Sequence, residues 1–311
     1  MLLSYLFLSN AVLAASGLSK PHEVTTRIIG APHTSNYTVY FEQNNHAISA
    51  FHDIPLFANK EKTVYNMIVE IPRWTNAKNE INKETPLNPI KQDVRNQQPR
   101  FVPNIFPLKG YIWNYGAFPQ TWENPKFVSP YTGKGGDNDP IDVIELGQEI
   151  ASVGQIKQVK IIGIIGLIDQ EETDWKVAVI DVNDPLANQL NDIQDVQQLL
   201  PGYMEESCRF FKYYKTPTGG NRNEIAFDGV PQNKTFATNI VLETHEQWKL
   251  LVNGVEPKKE IQTINLSVKN SPYRVSSDSD IVTSIPKANP LPAVKIAPIV
   301  DKWYFLSDSK A

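Results

Sequence analysis

Three aspartates fall within six residues, in the segment Asp137-Asn138-Asp139-Pro140-Ile141-Asp142. Carboxylates this close raise one another's pKa and repel, unless a cation neutralises them. Asp137 and Asp139 are two positions apart, so a strand or an extended turn would place both side chains on one face. Clustered oxygen ligands suit hard divalent cations such as Mg²⁺ or Mn²⁺. The segment predicts a cation site, and a solvated acidic turn is the alternative.

A second acidic group follows residues 159–168, which are nearly all apolar. Such a run is typical of a strand buried on both faces. A strand of this kind would deliver Asp169 and Asp174 at its end, against Asp137 and Asp142. Taken alone, the same group is equally consistent with a polar hairpin turn.

Acidic, basic and tyrosine side chains recur in further segments. They are Glu70, Lys78 and Glu80 in one stretch, Arg100, Tyr111 and Tyr115 around a glycine-flanked loop, Lys176 two residues after Asp174, and Tyr214 and Lys215 at a predicted helix end. Acids suit cations, Lys and Arg suit anions, and tyrosines are neutral donors. Surface salt bridges and packing tyrosines are the alternatives for each group by itself.

Several other chemistries are excluded because their sequence motifs are absent. No phosphate-binding loop of the form Gly-x-x-x-x-Gly-Lys-Ser/Thr is present, and the five histidines show no catalytic pairing. Counted from Asp137, a calcium loop would need Gly at Asp142 and Glu at Gln148. What remains is hydrolysis of a phosphoanhydride or phosphoester by a metal-activated water.

The ordered blocks resemble the soluble family I inorganic pyrophosphatases, in their fungal and animal form. Residues 137–143 fit that family's signature at every position. The match extends through residues 51–56, 70–78, 114–122 and 174–176. Together the blocks span roughly residues 25 to 255, with the spacing of the family. Relatives usually carry His near Lys109 and Trp113, so we expect altered loop packing there.

The resemblance implies roles for the acidic residues. Asp137, Asp142 and Asp174 resemble the main metal ligands, with Asp142 bridging two ions. Asp139 resembles the base that hydrogen-bonds the nucleophilic water. Asp169, Glu70 and Glu80 resemble ligands, partly through water, of further ions. The implied cofactor is Mg²⁺, several ions per site, with Mn²⁺ or Zn²⁺ as substitutes.

The resemblance likewise implies roles toward the substrate, inorganic pyrophosphate. Lys78, Arg100, Tyr214 and Lys215 resemble the clamp on its oxygens, and Lys176 lies beside the leaving phosphate. Tyr111 is the candidate proton donor, and Tyr115 supports the same pocket. The alternatives are a metal-dependent phosphohydrolase of organic phosphates and a barrel binding module without catalysis.

Hydrophobic periodicity predicts the elements that must position these residues. Strands are predicted over residues 37–42, 63–71, 158–168 and 175–182. Helices are predicted over residues 184–200, with Asp184 as N-cap, 205–215 and 236–252. This order predicts an α+β protein whose sheet closes into a barrel. The resemblance implies a closed five-stranded OB-like β-barrel with long loops and flanking helices.

The remaining expectations concern the termini, partners and compartment. A chain of 311 residues with net charge −4 gives no reason to expect nucleic-acid binding. Residues 1–18 are predicted to be a signal or leader, too short for a comfortable membrane span. Residues 19–255 form the predicted catalytic domain, and residues 256–311 a C-terminal extension that packs on it or trails from it.

The compartment is left between two alternatives. The leader favours secretory entry, whereas a cytoplasmic location is usual for the family. Asn36, Asn233 and Asn265 lie in glycosylation sequons. With one cysteine, Cys208, an intramolecular disulfide is excluded. Relatives of this length imply a homodimer.

Overall fold

The computed structural model describes residues 24–306. The strands are β1 (Thr25–Gly30), β2 (Thr38–Gln43), β3 (His46–Ile48), β4 (Tyr65–Ile71), β5 (Asn79–Ile81), β6 (Ile90–Gln92), β7 (Val94–Arg95), β8 (Gln98–Pro99), β9 (Asn104–Ile105), β10 (Asn114–Ala117), β11 (Asp142–Glu145), β12 (Ile156–Asp169), β13 (Glu172–Asp181), β14 (Glu224–Ile225), β15 (Gln232–Asn233), β16 (Asn289–Pro290) and β17 (Trp303–Tyr304). The helices are α1 (Ile193–Leu199), α2 (Tyr203–Tyr213), α3 (Lys234–Val252) and α4 (Asp280–Thr283). Strands dominate the first half of the chain, as expected for the α+β class.

Five strands are joined in a ring of backbone pairings, in the order β13-β11-β10-β4-β12, because β12 also pairs with β13. The β11–β13 pair is parallel and the others are antiparallel. Gln170 and Glu171 turn the long β12–β13 hairpin with φ of 51° and 70°, as a two-residue turn of the primed type requires. This hairpin brings Asp169 and Asp174 to the same end of the ring.

Two buried clusters cover the strands of the ring. One contains Ile162 and Ile165 of β12 and is closed by Phe210 and Phe211 of α2. The other contains Ile164 of β12 and side chains of α3. The apolar run of β12 is therefore buried on both faces, which its sequence predicted.

The predicted strands are confirmed to within three residues, and the second and third predicted helices to within two. The first helix is wrong at its start. Its N-cap is Asp192, not Asp184, and Asp192 is part of a capping box with Asp195. Asp184 instead closes a local turn, where its Oδ1 accepts from the Leu186 N–H at 2.8 Å.

The described part of the extension, residues 256–306, follows the body of the protein. Strand β16 pairs with β1, and β17 pairs with β9. Asp53 accepts from the backbone N–H groups of Leu266 and Ser267, at 2.8 Å each. These contacts tie the segment to β1, to β9 and to the loop that contains Asp53.

The sequons differ in accessibility. Asn36 and Asn233 are exposed, and the Asn233 side chain caps α3 by accepting from the Phe236 N–H at 2.9 Å. Asn265 is fully buried and donates to the carbonyl of Thr263 and to Ser271 Oγ. A glycan on Asn265 is therefore incompatible with the folded chain.

The predicted leader, residues 1–18, lies outside the described residues. Among residues 24–306, no helix has the length and apolar character needed to cross a membrane.

Candidate active site

One cavity of about 200 Å³ is lined by every residue predicted to act on metal or substrate. These residues are Glu70, Lys78, Glu80, Arg100, Tyr111, Tyr115, Asp137, Asp139, Asp142, Asp169, Asp174, Lys176, Tyr214 and Lys215. They come from segments spread over almost 150 residues of sequence, and the ring gathers them at one end.

Lys176 occupies the centre of the acidic group. Parallel pairing of β11 with β13 sets Asp142 opposite Lys176. The Lys176 ammonium group contacts the carboxylates of both Asp142 and Asp174 and donates to Tyr115 Oη at 3.1 Å. Only 2% of Lys176 is exposed, so these contacts replace the hydration that a buried ammonium loses. The lysine is therefore fixed between two acids predicted to bind metal.

The acidic segment adopts a tight turn. Asn138 has φ of 73°, so the extended strand-like arrangement predicted for Asp137 and Asp139 is wrong. The Asp139 N–H donates to Asp137 Oδ1 at 3.1 Å, and the Asn138 N–H donates to the Glu123 carbonyl at 2.9 Å. The turn points Asp137 and Asp139 into the cavity from one loop.

Close approach to Glu123 requires glycine at position 136. A Cβ at Gly136 would lie 2.3 Å from the Glu123 carbonyl carbon, a distance that no side chain allows. The approach brings the carboxylate of Glu123 near Asp137 and Asp174, with one oxygen of each within 4.8 Å of the others. Sequence reasoning missed Glu123. Its only signal was its place next to the matched block that ends at Trp122.

Glu123 is the residue of this trio with an unsatisfied oxygen. Its Oε1 accepts from the Trp175 N–H at 2.9 Å, whereas the buried Oε2 has no hydrogen-bond partner in the described part of the chain. Burial, and then the charges of Asp137 and Asp174, raise the pKa of Glu123 well above its usual value. A cation would supply the missing partner and remove the repulsion.

Neighbouring charges separate the pKa values of the other acids. Burial raises the pKa of Glu70 to about 8 and that of Asp174 to about 7. Burial and the Asp174 charge raise the pKa of Asp137 well above its usual value. The pKa of Asp142 is lowered, because Lys176 and Lys78 outweigh the cost of its burial. Without bound metal ions, the carboxyl groups of the site therefore cannot all be ionised together.

Asp139 lies in a more open position than Asp142. Its side chain is 45% exposed, against 17% for Asp142. Lys83, which sequence reasoning also missed, lies with Nζ 2.8 Å from Asp139 Oδ1 and donates to the Asn138 carbonyl at 3.2 Å. This places one carboxylate of the segment at the solvent side of the cavity, with a single cation to orient it.

The predicted clamp residues each hold an acid. Arg100 Nη1 lies 2.9 Å from Asp93 Oδ2, and Lys78 Nζ lies 3.2 Å from Glu80 Oε2. On the other side, Asp169 accepts from Tyr214 Oη at 3.1 Å and contacts the Lys215 ammonium group. Tyr214 and Lys215 follow the last residue of α2. All four clamp side chains therefore line the cavity with an acid beside them.

Aromatic side chains of the core lie next to the clamp. Tyr111 and Tyr115 are buried, with ring centroids 4.8 Å apart. Trp113 stacks on Phe211 at 4.9 Å and donates to Ser207 Oγ at 2.9 Å. Trp113 is thus packed against α2 behind the site.

Comparison with known proteins identifies the family. A family model described as inorganic pyrophosphatase matches residues 67–249. The chain belongs to the inorganic pyrophosphatase family. It is 52% identical to the inorganic pyrophosphatase of Emericella nidulans, over 91% of this chain and 98% of that protein. It is 48% identical to that of Drosophila melanogaster, over 93% of this chain and 86% of that protein.

Solved structures agree with this assignment. The inorganic pyrophosphatase of Schistosoma japonicum superposes with a TM-score of 0.84 at 45% identity, covering 91% of this chain and all of that chain. A truncated vacuolar soluble pyrophosphatase of Trypanosoma cruzi, solved in complex with PPi, gives 0.70 at 39% identity over 81% of this chain and 97% of that chain. The chain described here is an enzyme that hydrolyses inorganic pyrophosphate, as the motifs predicted.

The similarity to relatives extends beyond the residues that the motifs cover. The alignment with the Drosophila melanogaster relative covers 93% of this chain. The part that it leaves out is shorter than residues 256–311. Most of the C-terminal extension is therefore shared with relatives, and the motif-based range of residues 25 to 255 was too short. The family and the acidic trio together indicate that the enzyme uses divalent metal.

Proposed function

We propose that the enzyme hydrolyses pyrophosphate to two phosphates with Mg²⁺ held by the acids of the cavity, Asp137, Asp142, Asp174, Asp169, Glu70, Glu80 and, in addition, Glu123. The unsatisfied buried Oε2 of Glu123, within reach of Asp137 and Asp174, is the observation that carries the metal site. Mg²⁺ prefers oxygen ligands. Burial raises the pKa of Glu70, Glu80, Glu123, Asp137 and Asp174, so bound cations would favour their ionised forms. Mn²⁺ and Zn²⁺ are proposed substitutes.

Bound there, divalent cations offset the charge of pyrophosphate and acidify a water molecule. Asp139, the exposed carboxylate of the segment, takes the proton of the attacking water. Arg100, Lys78, Tyr214 and Lys215 hold the phosphate oxygens. Each pairs with an acid in this structure, so binding of the substrate exchanges a carboxylate for a phosphate oxygen.

Charge then develops on the leaving phosphate. Lys176, fixed between Asp142 and Asp174, stabilises this charge from the floor of the cavity. Tyr111 supplies a proton to the leaving group. Burial raises the pKa of Tyr111, which keeps its hydroxyl protonated at neutral pH. Tyr115 orients Asp142 by donating to its Oδ2.

Two substitutions test this assignment. We expect Asp139→Asn to lower kcat by about 10²–10⁴, the usual contribution of a general base. Asp142→Asn should lower kcat and also raise the Mg²⁺ concentration needed for half-maximal rate. Phosphate release is measured with and without Mg²⁺, and Asp278→Asn, on an exposed turn, is the matched control. Near-normal rates in both variants would contradict the proposal.

We further propose that the five-strand ring is the closed OB-like barrel expected from the sequence. Residues 19–255 form the catalytic domain, the C-terminal extension packs on this domain, and residues 1–18 form a leader.

We also propose that the enzyme is a homodimer. An exposed aromatic patch supports it, formed by Phe106, Trp303 and Phe305, which are 53%, 39% and 74% exposed. Self-association would cover these rings.

A further inference from the structure

A second cavity, here called the outer cavity, lies beside the active site. It has a volume of about 560 Å³ and is bounded by β7, by the turn after β12 and by residues 219–224. It shares Arg100, Gln170 and Lys215 with the active-site cavity. The two spaces therefore meet at the clamp, and the outer cavity lies on the solvent side of it.

Two arginines line the outer cavity without an ion pair. Arg95 ends β7 and Arg222 precedes β14, and both are exposed. Among residues 24–306, neither guanidinium lies within 4.0 Å of a carboxylate oxygen. An arginine is always charged, and its fork of five donors matches the oxygens of a phosphate group. Neither residue belongs to the predicted clamp.

The backbone holds both arginines in place. Beside Arg95, the Arg100 N–H donates to the Asp93 carbonyl at 2.7 Å, which closes the small β7–β8 hairpin onto the clamp. Beside Arg222, the Asn223 N–H and Nδ2 donate to carbonyls of α2, each at 3.0 Å. Each arginine therefore projects from a segment tied to a clamp element.

The acids of the outer cavity are mostly occupied elsewhere. Asp93 pairs with Arg100 at 2.9 Å, and Glu171 pairs with Lys134. Glu224 is the lining carboxylate that has no ion pair in the described part of the chain. The outer cavity is thus lined by two unpaired guanidinium groups and one unpaired acid, in a protein whose formal net charge is −4. The local excess of positive charge favours an anion at this place.

We propose that the outer cavity is an accessory site for a phosphate-type oxyanion, held by Arg95 and Arg222 immediately outside the clamp. The oxyanion has two sources, pyrophosphate on its way in and phosphate on its way out. In either case the two arginines concentrate the anion next to Arg100 and Lys215, with no part in bond cleavage.

Variants of the two arginines test the site. Arg95→Gln, Arg222→Gln and the double variant are compared with Lys60→Gln, which removes one charge from an exposed turn outside both cavities. If the site captures arriving pyrophosphate, kcat/KM of the double variant falls about 3- to 10-fold at low ionic strength, with kcat unchanged. The difference disappears near 0.5 M salt, because such steering is screened.

A second measurement follows the product. If the site holds departing phosphate, the double variant needs several-fold more inorganic phosphate for half-maximal product inhibition at low salt. Either change, absent in Lys60→Gln and restored by Arg95→Lys with Arg222→Lys, supports the site and identifies its source. Unchanged kcat/KM and unchanged inhibition would overturn it. A fall in kcat that persists at high salt would also overturn it, because that result indicates a distorted clamp.

Discussion

At the residue scale, the three aspartates of one short segment have different surroundings. Lys176 lies against Asp142 and lowers its pKa, whereas Asp137 faces Asp174 and has a raised pKa. Asp139 is more exposed than Asp142. Identical side chains therefore receive different chemical properties from their neighbours, which supports the different roles proposed for them.

Glu123 provides a prediction at the same scale. Glu123→Gln keeps the shape of the side chain and removes its charge, so the trio with Asp137 and Asp174 loses one anionic ligand. We expect the Mg²⁺ concentration for half-maximal activity to rise about 10- to 100-fold, the usual effect of losing a group that supports a metal site. Equilibrium dialysis with Mn²⁺ checks the same loss without turnover.

The matched control for Glu123 is Glu84→Gln, an exposed acid outside the cavity. Its metal dependence should equal that of the unmodified enzyme. If Glu123→Gln shows the same metal affinity as this control, then Glu123 lies outside the metal site and its unsatisfied Oε2 needs another explanation.

At the element scale, strong and local signals were predictable. The apolar run of β12 and the alternation of β4 needed only periodicity, and the long hairpin then placed Asp169 and Asp174 together. The start of α1 was mispredicted because Asp184-Pro185 has the local chemistry of a helix start. The capping box of Asp192 with Asp195 decides the start instead.

Glu123, which joins Asp137 and Asp174 in the trio, was beyond sequence reasoning for a different reason. A single acid between Trp122 and Asn124 has no spacing that points to metal. It enters the site through the backbone approach that Gly136 allows, which is a tertiary contact. Residues that act through such contacts become visible only when the fold is known.

The joint between the body and the C-terminal extension gives a prediction about pH. His52 is fully buried; Trp248 Nε1 donates to its Nδ1 at 2.9 Å, and its Nε2 lies 2.9 Å from the Gln262 carbonyl. Burial lowers the pKa of His52 from 6.5 to about 4. Between these values the unfolded chain binds a proton that the folded chain does not. His52 therefore contributes a decrease of about 3 kcal/mol to the free energy of unfolding as the pH falls from 6.5 towards 4.

Urea unfolding followed by tryptophan fluorescence at several pH values measures this slope. His52→Gln should be less stable at neutral pH, yet it should lose less further stability on acidification than the unmodified enzyme. His46→Gln, at an exposed position of β3, should retain the full slope. An equal slope in His52→Gln would show that other groups cause the acid sensitivity.

At the scale of the whole molecule, the exposed aromatic patch carries the last prediction. The Phe106 ring centroid lies 6.1 Å from that of Trp303 and 5.3 Å from that of Phe305. Pairing of β17 with β9 places these rings together at one edge of the protein. In a single chain they are exposed to water there. Buried aromatic anchors dominate the binding energy of many protein interfaces. This patch is therefore the surface where we expect two copies to meet.

Sedimentation velocity over a range of concentrations tests the patch. The unmodified enzyme should sediment as a dimer, and Phe305→Ser should weaken the dimer at least tenfold, which corresponds to about 1.4 kcal/mol. Val255→Ser, at a residue that is 68% exposed, removes a similar apolar surface elsewhere and should leave the dimer intact. A dimer equally tight in Phe305→Ser would place the interface on another face, because the loss of an exposed ring can matter only where that ring becomes buried.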